Sequence, residues 1–164
     1  MSSHDDSLAG LDPAVRQFLQ DWTRLDDPAV AERLLGPVIL VGGASIVGGA
    51  PPSTTALPSE RFVAAVVGRQ RAMSDLPAPR LGRVDVVGLG AARLVVTAHW
   101  HVAGPGGPLE LVGDFLLERT AGPGLRALAY LPRTDVTTMV AAQAPVDDVA
   151  DEADDEPDTG AVRS

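Results

Sequence analysis

Between Arg93 and Arg119 the chain alternates apolar and polar residues in two runs, broken once at Gly104–Gly107, and the two runs are complementary. Alternation with a period of two marks a strand with one buried face. If 104–107 is the turn, counting outward sets Leu94 against Leu117, Val96 against Phe115, Trp100 against Leu111 and Val102 against Leu109. The opposite face then pairs Arg93 with Glu118, Thr97 with Asp114 and His101 with Glu110. A slip of one residue would mix the two sets, so a single register is specified. Such a hairpin needs a cover for its apolar face, and the rest of the chain supplies helices.

Two short helices come first. Asp12-Pro13 and Asp27-Pro28 each place Asp at the cap and Pro at the first helical position, where a missing N–H costs nothing and a carboxylate meets the positive helix end. Val15, Phe18, Leu19, Trp22 and Leu25 then share one stripe, and the second helix ends at Gly36. Pro37–Val41 reads as a strand, and the glycine-rich stretch to about Ser53 as a turn with a second short strand, Ala44–Gly48. Ser59 is expected to cap a third helix over 60–74 that buries Phe62, Val63, Val66, Val67 and Met73. Strand-like runs follow at Leu81–Leu89, Arg93–Val102, Leu109–Arg119 and Leu125–Leu131. In the last hairpin Glu118 is expected opposite Arg126 and Asp114 opposite Tyr130. The order α-α-β-β-α-β-β-β-β with short final turns predicts an α+β domain, an antiparallel meander with helices on one face.

Composition narrows the functions open to this chain. It has 164 residues, 45% of them hydrophobic, enough for one core, but only 4% are aromatic. Val, Leu and Ala must therefore do most of the filling, and each large ring matters more than usual. There is no Cys, which excludes disulfides, thiolate nucleophiles and Cys-ligated zinc. All 13 basic residues are Arg, a pattern expected of a GC-rich bacterial genome, and the lack of Lys excludes a Walker-type phosphate loop. Of the net charge of −9, a segment from Gln143 to Ser164 carries −7. Residues 143–164 are thus expected to be a disordered acidic tail, as are residues 1–10 at the other end, leaving 11–142 as the domain. The tail reads as a solubilising segment or as a decoy for a basic partner. No basic patch suggests nucleic acid, and neither a signal peptide nor a membrane span is visible, so a cytoplasmic protein is expected.

Several clusters invite chemistry. Gly42-Gly43-Ala44-Ser45-Ile46-Val47-Gly48 follows an apolar strand as a dinucleotide loop would, but the spacing is wrong and Pro51-Pro52 replaces the helix, so a hairpin turn is expected and no cofactor. His99 and His101 share a strand face with Glu110 opposite, which suggests either a metal pair or paired polar groups on an exposed face; no metal is expected. Asp114 beside Thr97 and Tyr130 is the acid/base candidate, with a structural ladder as the alternative. Arg93, Glu118 and Arg126 read as a surface charge ladder. On the apolar face the small residues Ala98, Gly113, Ala127 and Ala129 either pack closely or leave a cavity rimmed by Trp22, Met73, Trp100 and Phe115. The mixed face, with Val95, Thr97, His99, Val112 and Leu116, is apolar enough to pair two subunits.

From about Asp12 to Arg133 the order and spacing of these elements resemble the nuclear transport factor 2-like superfamily, including its SnoaL-like branch. The resemblance rests on Phe18-Leu19, Trp22, the run Leu25–Leu35 into Val38-Ile39-Leu40, Gly90–Thr97, and Phe115-Leu116-Leu117-Glu118-Arg119. It implies a curved sheet wrapped round a helix as a cone, often dimeric, with a pocket at the open end. Its members include isomerases, dehydratases, cyclases and epoxide hydrolases beside binding proteins, so the fold does not name a reaction. Members like ketosteroid isomerase take a carboxylate base from the early strands, and here Pro37–Val41 and Ala44–Gly48 contain no Asp, Glu or His. The expected function is therefore a pocket protein for an apolar small molecule, or a dimeric accessory domain. The alternative is a SnoaL-like isomerase, cyclase or dehydratase acting on a polycyclic or terpenoid-like substrate, with Asp114, Tyr130 and His99 as its residues.

Overall fold

The computed structural model describes residues 10–43, 53–72, 74, 76–104 and 106–134. Their order is α1 (Pro13–Trp22), α2 (Pro28–Leu34), β1 (Leu35–Gly43), β2 (Ser53–Pro58), α3 (Ser59–Ala72), β3 (Arg80–Leu89), β4 (Arg93–Gly104), β5 (Gly107–Arg119) and β6 (Leu125–Pro132). This is the α+β order read from the sequence. The segments 1–9, 44–52 and 135–164 lie outside the described residues, and with them the acidic tail, the proposed strand Ala44–Gly48 and most of the glycine-rich loop.

Both helix starts form as their Asp-Pro pairs require. The Asp12 carboxylate accepts the Ala14 N–H at 2.8 Å, and Asp27 accepts that of Ala29 at 3.0 Å. Ser59 does something else: α3 starts at this residue, and its hydroxyl donates to the Gly36 carbonyl, tying α3 to β1 instead of capping the helix. The second strand is Ser53–Pro58, where Thr54 and Thr55 supply β-branched side chains.

Six strands form one curved, unclosed sheet in the order β2-β1-β6-β5-β4-β3. Every β4–β5 pair from Arg93–Glu118 to Gly104–Gly107 falls in the register expected from the alternation. Two expectations need correction. β1 runs parallel to β6, so the sheet is mixed and not wholly antiparallel. The β5–β6 register holds for Glu118–Arg126 but shifts by one beyond Leu117–Ala127. Leu128 is the extra residue of a β-bulge, which leaves Asp114 opposite Leu131 and Phe115 opposite Tyr130. A second irregularity, at Gly82-Arg83 in β3, adds a residue opposite His99.

The core lies between the helices and one face of this sheet. Val15, Phe18, Leu19 and Leu25 meet Val96, Ala98, Phe115, Leu117 and Ala127, all at most 2% exposed. The six aromatic residues of the chain all join one cluster. Phe115 sits at its centre, edge-on to Trp22 at 4.8 Å and to Phe18 at 5.5 Å, and stacked on Tyr130 at 5.0 Å. Concentrating scarce rings in one place gives them offset and edge contacts that add to plain area burial.

Candidate functional site

Where α1, α3 and the sheet diverge, a cavity of about 530 Å³ remains. Trp22, Thr23 and Asp26 reach it from the end of α1 and the following turn, and Val66, Arg69 and Gln70 from the last turns of α3. Trp100, Val102, Leu109, Leu111 and Tyr130 form its sheet side, and Leu76, Pro77, Ala78 and Pro79 close one flank. These residues meet because the core face of β4 and β5 continues past the point where the helices end. A volume in this range suits one drug-sized molecule. A second hollow, between α2, the start of β1 and α3, is lined by Glu32, Glu60, Arg71 and Arg126 among aliphatic residues and has no aromatic wall.

Of the proposed pocket residues, Trp22 and Trp100 line the cavity, so both tryptophans of the chain face one space. Phe115 lies beneath them, fully buried, and Met73 lies outside the described residues. The small residues divide. Ala98 and Ala127 are closely packed in the core, and the space above Gly113 is taken by the Tyr130 ring, whose Cε2 would stand 2.8 Å from an added Cβ. Ala129 is not on this face: past the bulge it pairs with Leu116 on the outer side.

Tyr130 is the polar group the sequence misplaced. The bulge at Leu128 turns it into the cavity, beside Trp22 at 5.2 Å and Phe62 at 6.1 Å. Burial pushes its phenol above the ordinary value, and the Arg69 charge pulls it partly back. Arg69 itself was not singled out from the sequence. The only available signal was its place one helical turn beyond Val66, on the same face of α3.

Asp114 and His99 stand on the other side of the sheet. Asp114 accepts from the Thr97 hydroxyl at 2.6 Å, as the register requires, and from Arg133 Nε at 2.5 Å. It is separated from Tyr130 by the thickness of the sheet, which corrects the expected neighbourhood of the two. His99 Nδ1 lies 2.9 Å from Glu110 Oε1, a diagonal contact, although the residue directly opposite Glu110 is His101. The His101 ring instead lies over Gly82, 2.6 Å from where a Cβ would be. Among the described residues no cluster of three or more His, Cys, Asp or Glu suits a metal ion. Arg93 and Glu118 approach to 3.8 Å, both well exposed, and so add little to stability.

No protein-family model matches the chain, and no curated protein matches it in sequence. Its structure is similar to solved ones. A nuclear transport factor 2-like protein of unknown function from Burkholderia pseudomallei matches with a TM-score of 0.50 at 18% identity, covering 80% of this chain and 95% of that one. The yeast UBP3-associated protein BRE5 matches with a TM-score of 0.51 at 17% identity, over 73% and 92%. The CaMKII hub of S. rosetta matches with a TM-score of 0.50 at 15% identity, over 76% and 96%. Identities this low speak to architecture alone, and the shared architecture is the helix-backed curved sheet described above. This chain has the nuclear transport factor 2-like fold.

Proposed function

We propose that this chain is a pocket protein that binds an apolar small molecule at the open end of its cone without chemically transforming it. The observation that carries this reading is the 530 Å³ cavity walled by Trp22, Trp100, Tyr130 and aliphatic side chains. Burial of apolar ligand surface against such walls is the main source of affinity in sites of this kind. Of the three residues named for the isomerase alternative, Asp114 and His99 lie across the sheet from that cavity and Tyr130 alone lines it, which weakens that alternative.

The test is mass spectrometry of the purified protein under native and denaturing conditions, beside tryptophan fluorescence. An apolar organic molecule should be released on denaturation, and its removal should shift the emission of the two tryptophans. Leu111→Trp, which fills the cavity, should abolish its retention. Equal retention by the filled variant would place the ligand elsewhere and refute the reading.

A second feature supports self-association. Five of the large apolar side chains most exposed among the described residues, Val38, Leu40, Val87, Leu89 and Leu131, lie on the outer sheet face with Val95, Val112 and Leu116. A face of this kind stretching over several strands fits a second copy of the chain. Light scattering at micromolar concentration reads the outcome directly: a dimer is expected, and a monomer overturns the assignment.

A further inference from the structure

The cavity's two hydrogen-bond donors of greatest consequence point to the ligand's chemistry. Tyr130 brings a hydroxyl to the inner, ring-lined wall, and Arg69 brings a guanidinium from the last turns of α3 to the rim. None of the ion pairs among the described residues uses Arg69, whereas Arg33, Arg119 and Arg133 each hold a carboxylate. The single carboxylate among the described lining residues, Asp26, also borders the hollow between α2 and α3, so it stands where the two spaces meet. The Arg69 charge lies within electrostatic reach of the Tyr130 hydroxyl.

Resting on the pocket reading above, we infer that the ligand is an apolar acid: a hydrophobic body held between Trp22 and Trp100, with one carboxylate turned towards Arg69 and Tyr130. An arginine fork and a phenol are both donors, and a carboxylate accepts from both at once. A neutral ligand would leave the guanidinium hydrated at the rim and gain nothing from it. A cationic one would meet Arg69 as a like charge. The apolar lining supplies affinity and the two donors supply orientation, which is the division of labour usual in such pockets.

The test compares naphthylacetate with naphthylacetamide by calorimetry at neutral pH. The two share a ring system and differ in charge. Charge-assisted hydrogen bonds are worth more than neutral ones, and with Arg69 partly solvated the acid should bind about 10-fold tighter than the amide. In Arg69→Met, which keeps the stem and removes the fork, the acid-to-amide ratio should fall towards unity. Tyr130→Phe should lower the same ratio by a smaller factor. Equal binding of acid and amide to the wild-type protein overturns the inference and leaves the pocket reading standing. A ratio that survives Arg69→Met also overturns it, because the anion would then be held elsewhere. Failure of both probes to bind, with tryptophan emission unmoved, overturns the inference and the pocket reading together.

Discussion

At Gly113 the identity of one residue decides how the pocket wall is built. The Tyr130 ring occupies the volume a side chain would take, and it packs against Trp22 and Phe115, so it must give up part of those contacts and shift towards the cavity to make room. Gly113→Ala should therefore cost about 1–3 kcal/mol in urea unfolding. In a Tyr130→Ala background the same change should cost much less, which separates the clash from any backbone effect. Gly82 is covered by a different kind of ring, that of the exposed His101. Asp12 is decisive in another way. It caps α1 and also receives Arg119 at 3.1 Å, joining the first helix to the end of β5. The Ala14 N–H and, after it, the Arg119 side chain hold its carboxyl below the ordinary 3.8. A carboxyl lowered by folding contributes fully above its unfolded value, and the contribution is lost as pH falls through the folded one. Asp12→Ala should thus cost about 1 kcal/mol near neutrality. The gap between variant and wild type should close in acid, read from melting curves at several pH values.

Elements show where a sequence speaks and where it falls silent. The β4–β5 hairpin was legible because the charged and hydrogen-bonding side chains of both arms fall on one face and the other is wholly apolar, so only one register satisfies them. Leu125–Leu131 has the same kind of pattern, but nothing in it announces that Leu128 is surplus. A bulge changes the face of every residue after it, so Tyr130 and Ala129 were placed on the wrong sides and the pocket's one phenol was assigned to the outer face. The pairing of β1 with β6 was hidden for a different reason: it joins segments far apart in the chain, and no local pattern encodes it. The starts of α1 and α2 were legible, but the tie between them was not. Asp21, 3% exposed in α1, receives Gln17 at 3.0 Å and Arg33 of α2 at 2.5 Å. Arg33→Met should leave a buried carboxylate with the Gln17 amide alone, at a cost of about 1–3 kcal/mol. Asp21→Asn in the same background should recover part of that loss, because the orphaned charge is gone.

For the molecule as a whole, the two faces of the sheet have separate tasks. One face is buried under helices and runs on into the cavity; the other presents Val38, Leu40, Val87, Leu89 and Leu131 to solvent. Leu116→Arg, near the middle of that outer face, should shift the light-scattering mass from dimer to monomer. Far-ultraviolet circular dichroism should stay unchanged, because Leu116 points away from the helices. Loss of the circular dichroism signal would show that Leu116 supports the fold itself.

The parallel contact between β1 and β6 also governs timing. Among the described residues β1 is the first strand to be synthesised and β6 the last, yet they are sheet neighbours. A growing chain that has passed β2 and α3 still lacks the strand that joins β1 and β2 to the rest of the sheet. Until Pro132 has emerged, the hairpin of β1 and β2 and the meander of β3 to β5 have no shared edge, and Ile39 and Phe115 have no common core to enter. Such non-local pairings delay folding because a long loop must close before any contact rewards it. Completion of β6, not the appearance of the first helices, is the moment at which the two parts of this sheet can close into one face over the core.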